Sequence, residues 1–434
     1  MYLSIIGFLM VVLIITLLLK GKMSPIVVLI AIPAAAALLC GFNLIEVGEF
    51  IKAGVKTTQN NAILFIFSVI FFGVMSDVGL FDIIVDKLVK KAGNNVVAIT
   101  VATAIIAIIA HLDGATATTV LITIPAMYPI YKRMNIRPQV LLLIVSSALG
   151  VMNLLPWGGP TARAASVLGI EANSLWLQLI PIQIIGVVTT IGLAVILGLA
   201  EKKRGAGIVA GQANSEEAVT EDNKNNDLKR PKLLWFNGLL TAGLIGLLVW
   251  DKLPSYVVFM FALSLALIVN FPSLKAQDAR IKAHAPSALL ISATMIAAGA
   301  MVGILSETGM LDAMAGSLIS IIPPVLGQYI HIIFGILALP LGMMVGTDAY
   351  FYGIMPLVMG IGAQYGVSEM NTALTMIIGK NVGLMISPLV PATFLSIGLV
   401  DVELKDHIKF SFKWLYGISV VMLICGLVFG IISL

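Results

Sequence analysis

Charge is what this sequence has least of. Asp, Glu, Lys and Arg make up 11% of its 434 residues, against 59% hydrophobic, a balance too apolar for a water-soluble domain. Cysteine is almost missing: Cys40 and Cys425 sit far apart within apolar runs, so neither a disulfide framework nor a zinc or thiol-redox site is expected. No GxxxxGK[ST] phosphate loop occurs, and no polar block is large enough to bind ATP. A primary pump is thereby excluded, nothing points to an enzyme, and any transport must run on a gradient. The net charge of +4 lies mostly on lysines between apolar runs, where it reports topology rather than a nucleic-acid partner.

What remains is apolar sequence in runs of about 17–25 residues, each long enough to cross a bilayer as a helix. The expected fold class is an all-α multi-pass membrane protein. The first run, "MYLSIIGFLMVVLIITLLLK", lacks a basic leader and a small-residue cleavage pattern and reads as a retained helix. Residues 201–232 are polar, rich in Gly and Asn, and without apolar periodicity; they read as a cytoplasmic linker between membrane halves 1–200 and 233–434. Spans are expected near 2–19, 25–41, 62–82, 139–169 and 175–200, then near 233–250, 254–270, 286–304, 370–400 and 411–433.

Each half also holds two short apolar arms around a polar tip. Residues 97–110 and 118–130 flank "HLDGATA"; residues 328–343 and 350–362 flank "VGTDA". Arms this short suit a re-entrant hairpin, whose irregular tip is tolerated where it lines a cavity. Counting both as hairpins puts Lys20, Lys22, Lys87–Lys91, Lys132–Arg137, the linker, the Lys275–Lys282 loop and Lys405–Lys413 on the cytoplasmic side, with Lys52 and Lys56 as exceptions. Five crossings per half then turn the second half over relative to the first. "SDVGLFDIIVDKLV" from Ser76 echoes "SETGMLDAMAGSLI" from Ser306, so an inverted repeat is expected, an architecture that places substrate between repeats near the midplane.

The span after each hairpin carries two prolines, Pro156 with Pro160 and Pro388 with Pro391, and should break there. Gly158 and Gly159 let unwound backbone approach a ligand, and broken ends expose N–H and C=O groups for an anion and a cation. Two tips and two breaks are expected to converge on one polar site. Asp113 and Asp348 are its carboxylates, each costing at least about 2.5–3.5 kcal/mol if ionised at that depth; they bind a metal or coupling cation, take up a proton, or cap the following arm. Thr116, Thr118 and Thr119 either bond a ligand carboxylate or bond back into their helix. Arg163 is a carboxylate clamp or a snorkelling arginine. Lys380, beside Asn381, neutralises substrate or pairs with Asp348. His111 relays protons or is a hydrogen-bonded structural histidine. Asn153, Thr161, Thr347, Ser387 and Thr393 complete the candidate substrate lining. Trp176, Trp235, Trp250 and Trp414 stand at span ends and read as interfacial belts.

With "LDGATATTV" and "GVMNLLPWGGPTARAASVLG" on the page, the chain resembles the CitMHS family of bacterial citrate:metal symporters, within the ion transporter superfamily. The resemblance runs over nearly the whole chain, and "NLLPWGGPTARAA" is its most specific element. It implies proton-coupled symport of citrate chelated to a divalent or trivalent metal (Mg, Ca or similar as co-substrate), no permanently bound cofactor, a homodimer, and a bacterial plasma membrane. It departs at Ala115, where the family pattern carries a second acidic residue. Chelation lowers the charge that a tricarboxylate brings into a low-dielectric site. The residues alone leave open a cation/proton antiporter exchanging on Asp113 and Asp348, a carrier of another di- or tricarboxylate, and a non-transport receptor or scaffold.

Overall fold

The computed structural model describes residues 2–20, 23–81, 87–89, 91–207, 226–319 and 323–434; the middle of the expected linker, 208–225, and Lys22 and Lys90 lie outside the described residues. Among the described residues there are helices and turns and no strand, as a chain must arrange itself where water cannot satisfy backbone groups. Three helices open the chain: α1 (Tyr2–Lys20), α2 (Pro25–Leu39) and α3 (Leu44–Asp77). A helical hairpin follows, α4 (Val96–Ala110) and α5 (Thr116–Arg133), then a broken helix, α6 (Pro138–Met152) and α7 (Gly159–Leu168), then α8 (Ala172–Lys203).

The same order returns after the linker. Helices α9 (Leu234–Trp250), α10 (Ser255–Asn270) and α11 (Leu274–Glu307) lead, through α12 (Met310–Ile319), into a second hairpin of α13 (Ile330–Val345) and α14 (Met355–Gln364). A second broken helix, α15 (Glu369–Asn381) and α16 (Pro391–Val400), precedes α17 (Leu404–Val428). Within each hairpin the two arms pack on one another.

Helices α3 and α11 begin well before the expected spans at 62 and 286. Each has 34 residues, about 51 Å at 1.5 Å per residue, far more than the roughly 30 Å hydrocarbon core needs. Their starts are fixed by caps. The Asn43 side chain accepts from the backbone N–H groups of Ile45 and Glu46 while the Glu46 carboxylate accepts from Asn43 N–H, a complete capping box; the Ser273 hydroxyl accepts from Ala276 N–H. Lys52, Lys56 and the expected 275–282 loop are therefore helical. Hydropathy marks the depth of a bilayer, and these polar first halves are helical without being apolar.

The two long helices cross against each other. A methyl on Gly54 would overlap the Gly299 carbonyl, and one on Gly303 would overlap that of Phe50. Backbones touch there because the side chains are absent, the usual device of close membrane crossings. At the other end of the crossing the His284 ring fills the space over Gly73, and Asp77 holds both His284 Nε2 at 2.8 Å and Arg280 Nη1 at 3.2 Å.

Segments with the expected cytoplasmic charges are tied to one another. Arg230 N–H donates to the Val78 carbonyl, and Gly207 N–H to that of Met134. Glu201, fully buried, binds Arg137 at 2.6 Å and Arg204 at 2.8 Å. Other contacts join segments distant in the chain: Asn61 Nδ2 donates to the Ile170 carbonyl, Asn173 Nδ2 to Asp251, and Asn371 Nδ2 to the Ser433 carbonyl. Cys40 and Cys425 are both free. Trp235 and Trp250 are exposed, whereas Trp176 is buried. It donates to Gln183 Oε1 at 2.8 Å and packs on Trp157, so it belongs to the core and not to an interfacial belt.

Candidate functional site

Both expected breaks exist. The first helix stops at Met152 and restarts at Gly159, and the second stops at Asn381 and restarts at Pro391. Each restart has a proline in its first turn, where the missing N–H costs nothing and the fixed φ favours a new helix. The first gap closes on itself. A side chain on Gly158 would strike the Asn153 and Leu155 carbonyls, while Thr161 Oγ1 donates to the Asn153 and Leu154 carbonyls at 3.2 and 3.0 Å. In the second gap Ser387 Oγ donates to the Met343 carbonyl and accepts from Leu389 N–H, stitching the break to a hairpin arm. The two breaks also meet: a methyl on Gly150 would overlap Val382 Cα and the Asn381 carbonyl.

The first tip turns at Gly114, at φ +69°, a left-handed value that suits glycine; a side chain there would also strike Trp157. Trp157 Nε1 donates to the Leu112 carbonyl at 2.8 Å, pinning the tip to the first break. Asp113 is 7% exposed, and its Oδ1 accepts from Ala115 N–H at 2.8 Å. His111 is wholly buried, with Nδ1 2.8 Å from Thr119 Oγ1 and Nε2 3.2 Å from Asn153 Oδ1. With Nδ1 engaged in the hairpin and Nε2 on Asn153 at the break, His111 holds the tip to the break. Thr116 and Thr118, half-buried, lie in the first turn of α5.

At the second tip the halves join. Arg163 Nε, from α7, donates to Asp348 Oδ1 at 2.6 Å, the two side chains being 19% and 25% exposed. Arg163 therefore points inward and pairs across the halves. A side chain on Gly159 would press on its guanidinium, so that glycine clears its path. Lys380 does not pair with Asp348; its Nζ donates to Thr347 Oγ1 at 2.9 Å and lies 5.0 Å from the centre of the Phe351 ring, inside the range of a cation–π contact. Gly342 provides the clearance along the Lys380 chain. A π-helical turn, Ala349–Ile354, the kind of irregularity often found at functional sites, carries the aromatics below the tip.

A cavity of about 600 Å³ opens at this tip, walled by Gly346, Thr347 and Asp348, by Leu389 of the second break, and by Leu18 and Met23 from the α1–α2 corner. Asp113 and the first tip do not line it. The two tips thus face separate surroundings, and only the second meets the cavity.

Several buried polar atoms have no partner: Asn153 Nδ2, Asn381 Nδ2 and Oδ1 and Thr393 Oγ1 at or beside the breaks, and Tyr352 Oη in the π-helical turn of the second hairpin. Such atoms are rare in folded proteins and call for a partner. Asn153 and Asn381 occupy corresponding places, each at the end of the helix that precedes a break. Among the described residues no three His, Cys, Asp or Glu side chains group as a metal site would need. Reading the sequence missed Tyr352, which looks like one more core aromatic. It also missed His407, whose Nε2 donates to the Met385 carbonyl inside the second break at 3.1 Å.

The citrate-transporter family pattern, CitMHS, matches residues 9–379. The chain belongs to this family. It is 40% identical over 436 residues to the Mg(2+)/citrate complex secondary transporter of Bacillus subtilis (strain 168), covering 100% of this chain and 99% of that one. It is 39% identical over 431 residues to a citrate transporter of the same organism, covering 99% and 100%. Family and relatives are transporters, not enzymes. The fold is similar to the YdaH transporter of Alcanivorax borkumensis, whose crystal structure is described as revealing an unusual topology, at TM-score 0.56 and 16% identity over 86% of this chain and 87% of that one.

Proposed function

We propose that this protein is a secondary transporter that carries citrate chelated to a divalent metal ion, together with protons, across the bacterial plasma membrane by alternating access. The observation that carries the reading is Asp348 in the wall of the cavity, paired behind it with Arg163, and Lys380 bonded to the neighbouring wall residue Thr347. Taken as ions, the three leave one positive charge uncompensated. Citrate with its three carboxylates ionised and a divalent ion bound carries one negative charge, so complex and site neutralise each other. Free citrate would bring three charges into a region where an uncompensated ion is costly. The protein offers a single carboxylate there, Asp348, rather than a cage, so a metal crossing with citrate draws its ligands mainly from citrate. The name of the Bacillus subtilis relative, an Mg(2+)/citrate complex transporter, supports the same cargo.

Arg163 is suited to a bidentate grip on a cargo carboxylate, and the orphaned amides of Asn153 and Asn381 to hydroxyl and carboxylate oxygens. Asp113, buried with no cation beside it among the described residues, is assigned to the coupled proton. The two series of helices act as inverted repeats, 1–200 and 233–434, joined by the cytoplasmic linker 201–232, and the carrier works as a homodimer.

The test is uptake of labelled citrate into proteoliposomes across Mg, Ca, Mn, Zn and Fe(III), with and without an inward proton gradient. Saturable uptake that needs a divalent ion and rises with the gradient is expected. Absence of uptake with every metal overturns the reading, and metal-driven proton efflux without citrate would replace it with a cation/proton antiporter.

A further inference from the structure

A second cavity shares no lining residue with the first. Arg137, just before α6, and Lys409 and Lys413, in the first turns of α17, enclose about 310 Å³ together with Gln139, Asp406 and Phe410. The Arg137 guanidinium is held in place by Glu201 at 2.6 Å and lies over the Phe410 ring at 5.1 Å. Glu201 is shared with Arg204. With Asp406 included, the four cations of this cluster exceed its two carboxylates, and among the described residues Lys409 makes no ion pair.

The same face of α17 continues away from the pocket as Gly417, Val421, Ile424 and Val428, three or four residues apart and all exposed. Nothing lies within 4 Å of where a Gly417 side chain would be, so an exposed apolar stripe runs on from the lysines along the helix. Cations at one end of a helix face and an exposed apolar stripe beyond them match the two parts of a phospholipid. A free phosphate would use only the first. Basic pockets beside membrane helices, on the side where positive charge gathers, bind anionic headgroups in this way.

We propose that this pocket holds the phosphodiester of an anionic phospholipid, with Arg137, Lys409 and Lys413 on the headgroup and an acyl chain along the exposed Gly417–Val428 face. The pocket adjoins the second break, because His407, next to Asp406, bonds the Met385 carbonyl. Its occupant would therefore stiffen the helix that supports the break. The proposal stands independently of the cargo.

The experiment compares the delipidated full-length protein with the double variant Lys409→Gln/Lys413→Gln by native mass spectrometry, using phosphatidylglycerol and phosphatidylcholine as probes. Both lysines are exposed, so the variant should fold, and Lys409→Arg/Lys413→Arg serves as the charge-conserving control. Retained phosphatidylglycerol should fall about thirtyfold in the Gln variant for the two cations lost and stay near wild type in the Arg variant. Phosphatidylcholine should not distinguish the proteins. In thermal unfolding, phosphatidylglycerol should raise the wild-type midpoint and soluble glycerol 3-phosphate should not. Equal retention of phosphatidylglycerol by wild type and the Gln variant overturns the proposal. So does protection by glycerol 3-phosphate equal to that by the lipid, which would mark a site for soluble phosphate.

Discussion

Arg163 and Asp348 are 185 residues apart in the chain and 2.6 Å apart in space. One follows the break in the first half and the other stands at the hairpin tip of the second, so their pairing joins the halves at the cavity. Each neutralises the other. A bound anion would compete with Asp348 for the guanidinium, and that exchange would link cargo binding to movement of the second tip.

Removing one partner should therefore cost more than removing both. Arg163→Gln or Asp348→Asn strands a charge in a largely enclosed place, a loss approaching the about 3–5 kcal/mol of a fully buried pair. The double variant should recover much of the stability and none of the uptake. Thermal unfolding and citrate uptake on the same three preparations check this.

Asp113 has a different neighbourhood, with a backbone N–H at 2.8 Å and, among the described residues, no cation in an ion pair with it. If it carries the coupled proton, Asp113→Asn should leave citrate binding measurable while uptake loses its response to an inward proton gradient. Uptake rates at fixed metal and citrate, with and without the gradient, decide it. A gradient response equal to wild type removes the assignment.

Trp157 pins the first tip through the Leu112 carbonyl. Trp157→Phe keeps most of the packing but leaves that carbonyl without its donor, which should cost about 1–3 kcal/mol and slow uptake. Unfolding midpoints and initial rates provide the check.

The crossing of the two long helices depends on Gly303 lying against the Phe50 carbonyl. Gly303→Val should destabilise by about 1–3 kcal/mol or more, since backbone cannot yield as a side chain can. Gly192→Ala, at a helix position with nothing within 4 Å, should stay within about 0.5 kcal/mol of wild type. Thermal unfolding of the two variants in one detergent compares them directly.

Hairpins and breaks were legible in the sequence because each interrupts an apolar run with a local signal: the polar tips around Asp113 and Asp348, and the proline pairs. The long starts of α3 and α11 were not, since "EVGEFIKAGVKTTQNN" is helical by its cap and its propensities, not its hydropathy. Trp176 misled because a place near the end of a span says nothing of which way the ring turns; it turns inward onto Trp157. The candidate residues came from chemistry rare at that depth, but their partners did not. Whether Asp348 meets Lys380 or Arg163 depends on how two distant segments pack. The separation of Asp113 from the cavity has the same origin.

The central claim is that metal and citrate cross as one complex through the Arg163–Asp348 site. It is tested most directly by loading proteoliposomes in the presence of radiolabelled citrate and a radiolabelled divalent ion together, and counting both in the same vesicles. The account predicts that the two enter in equal amounts and that both signals vanish in Arg163→Gln. Citrate accumulating without the metal, or the metal without citrate, would contradict it.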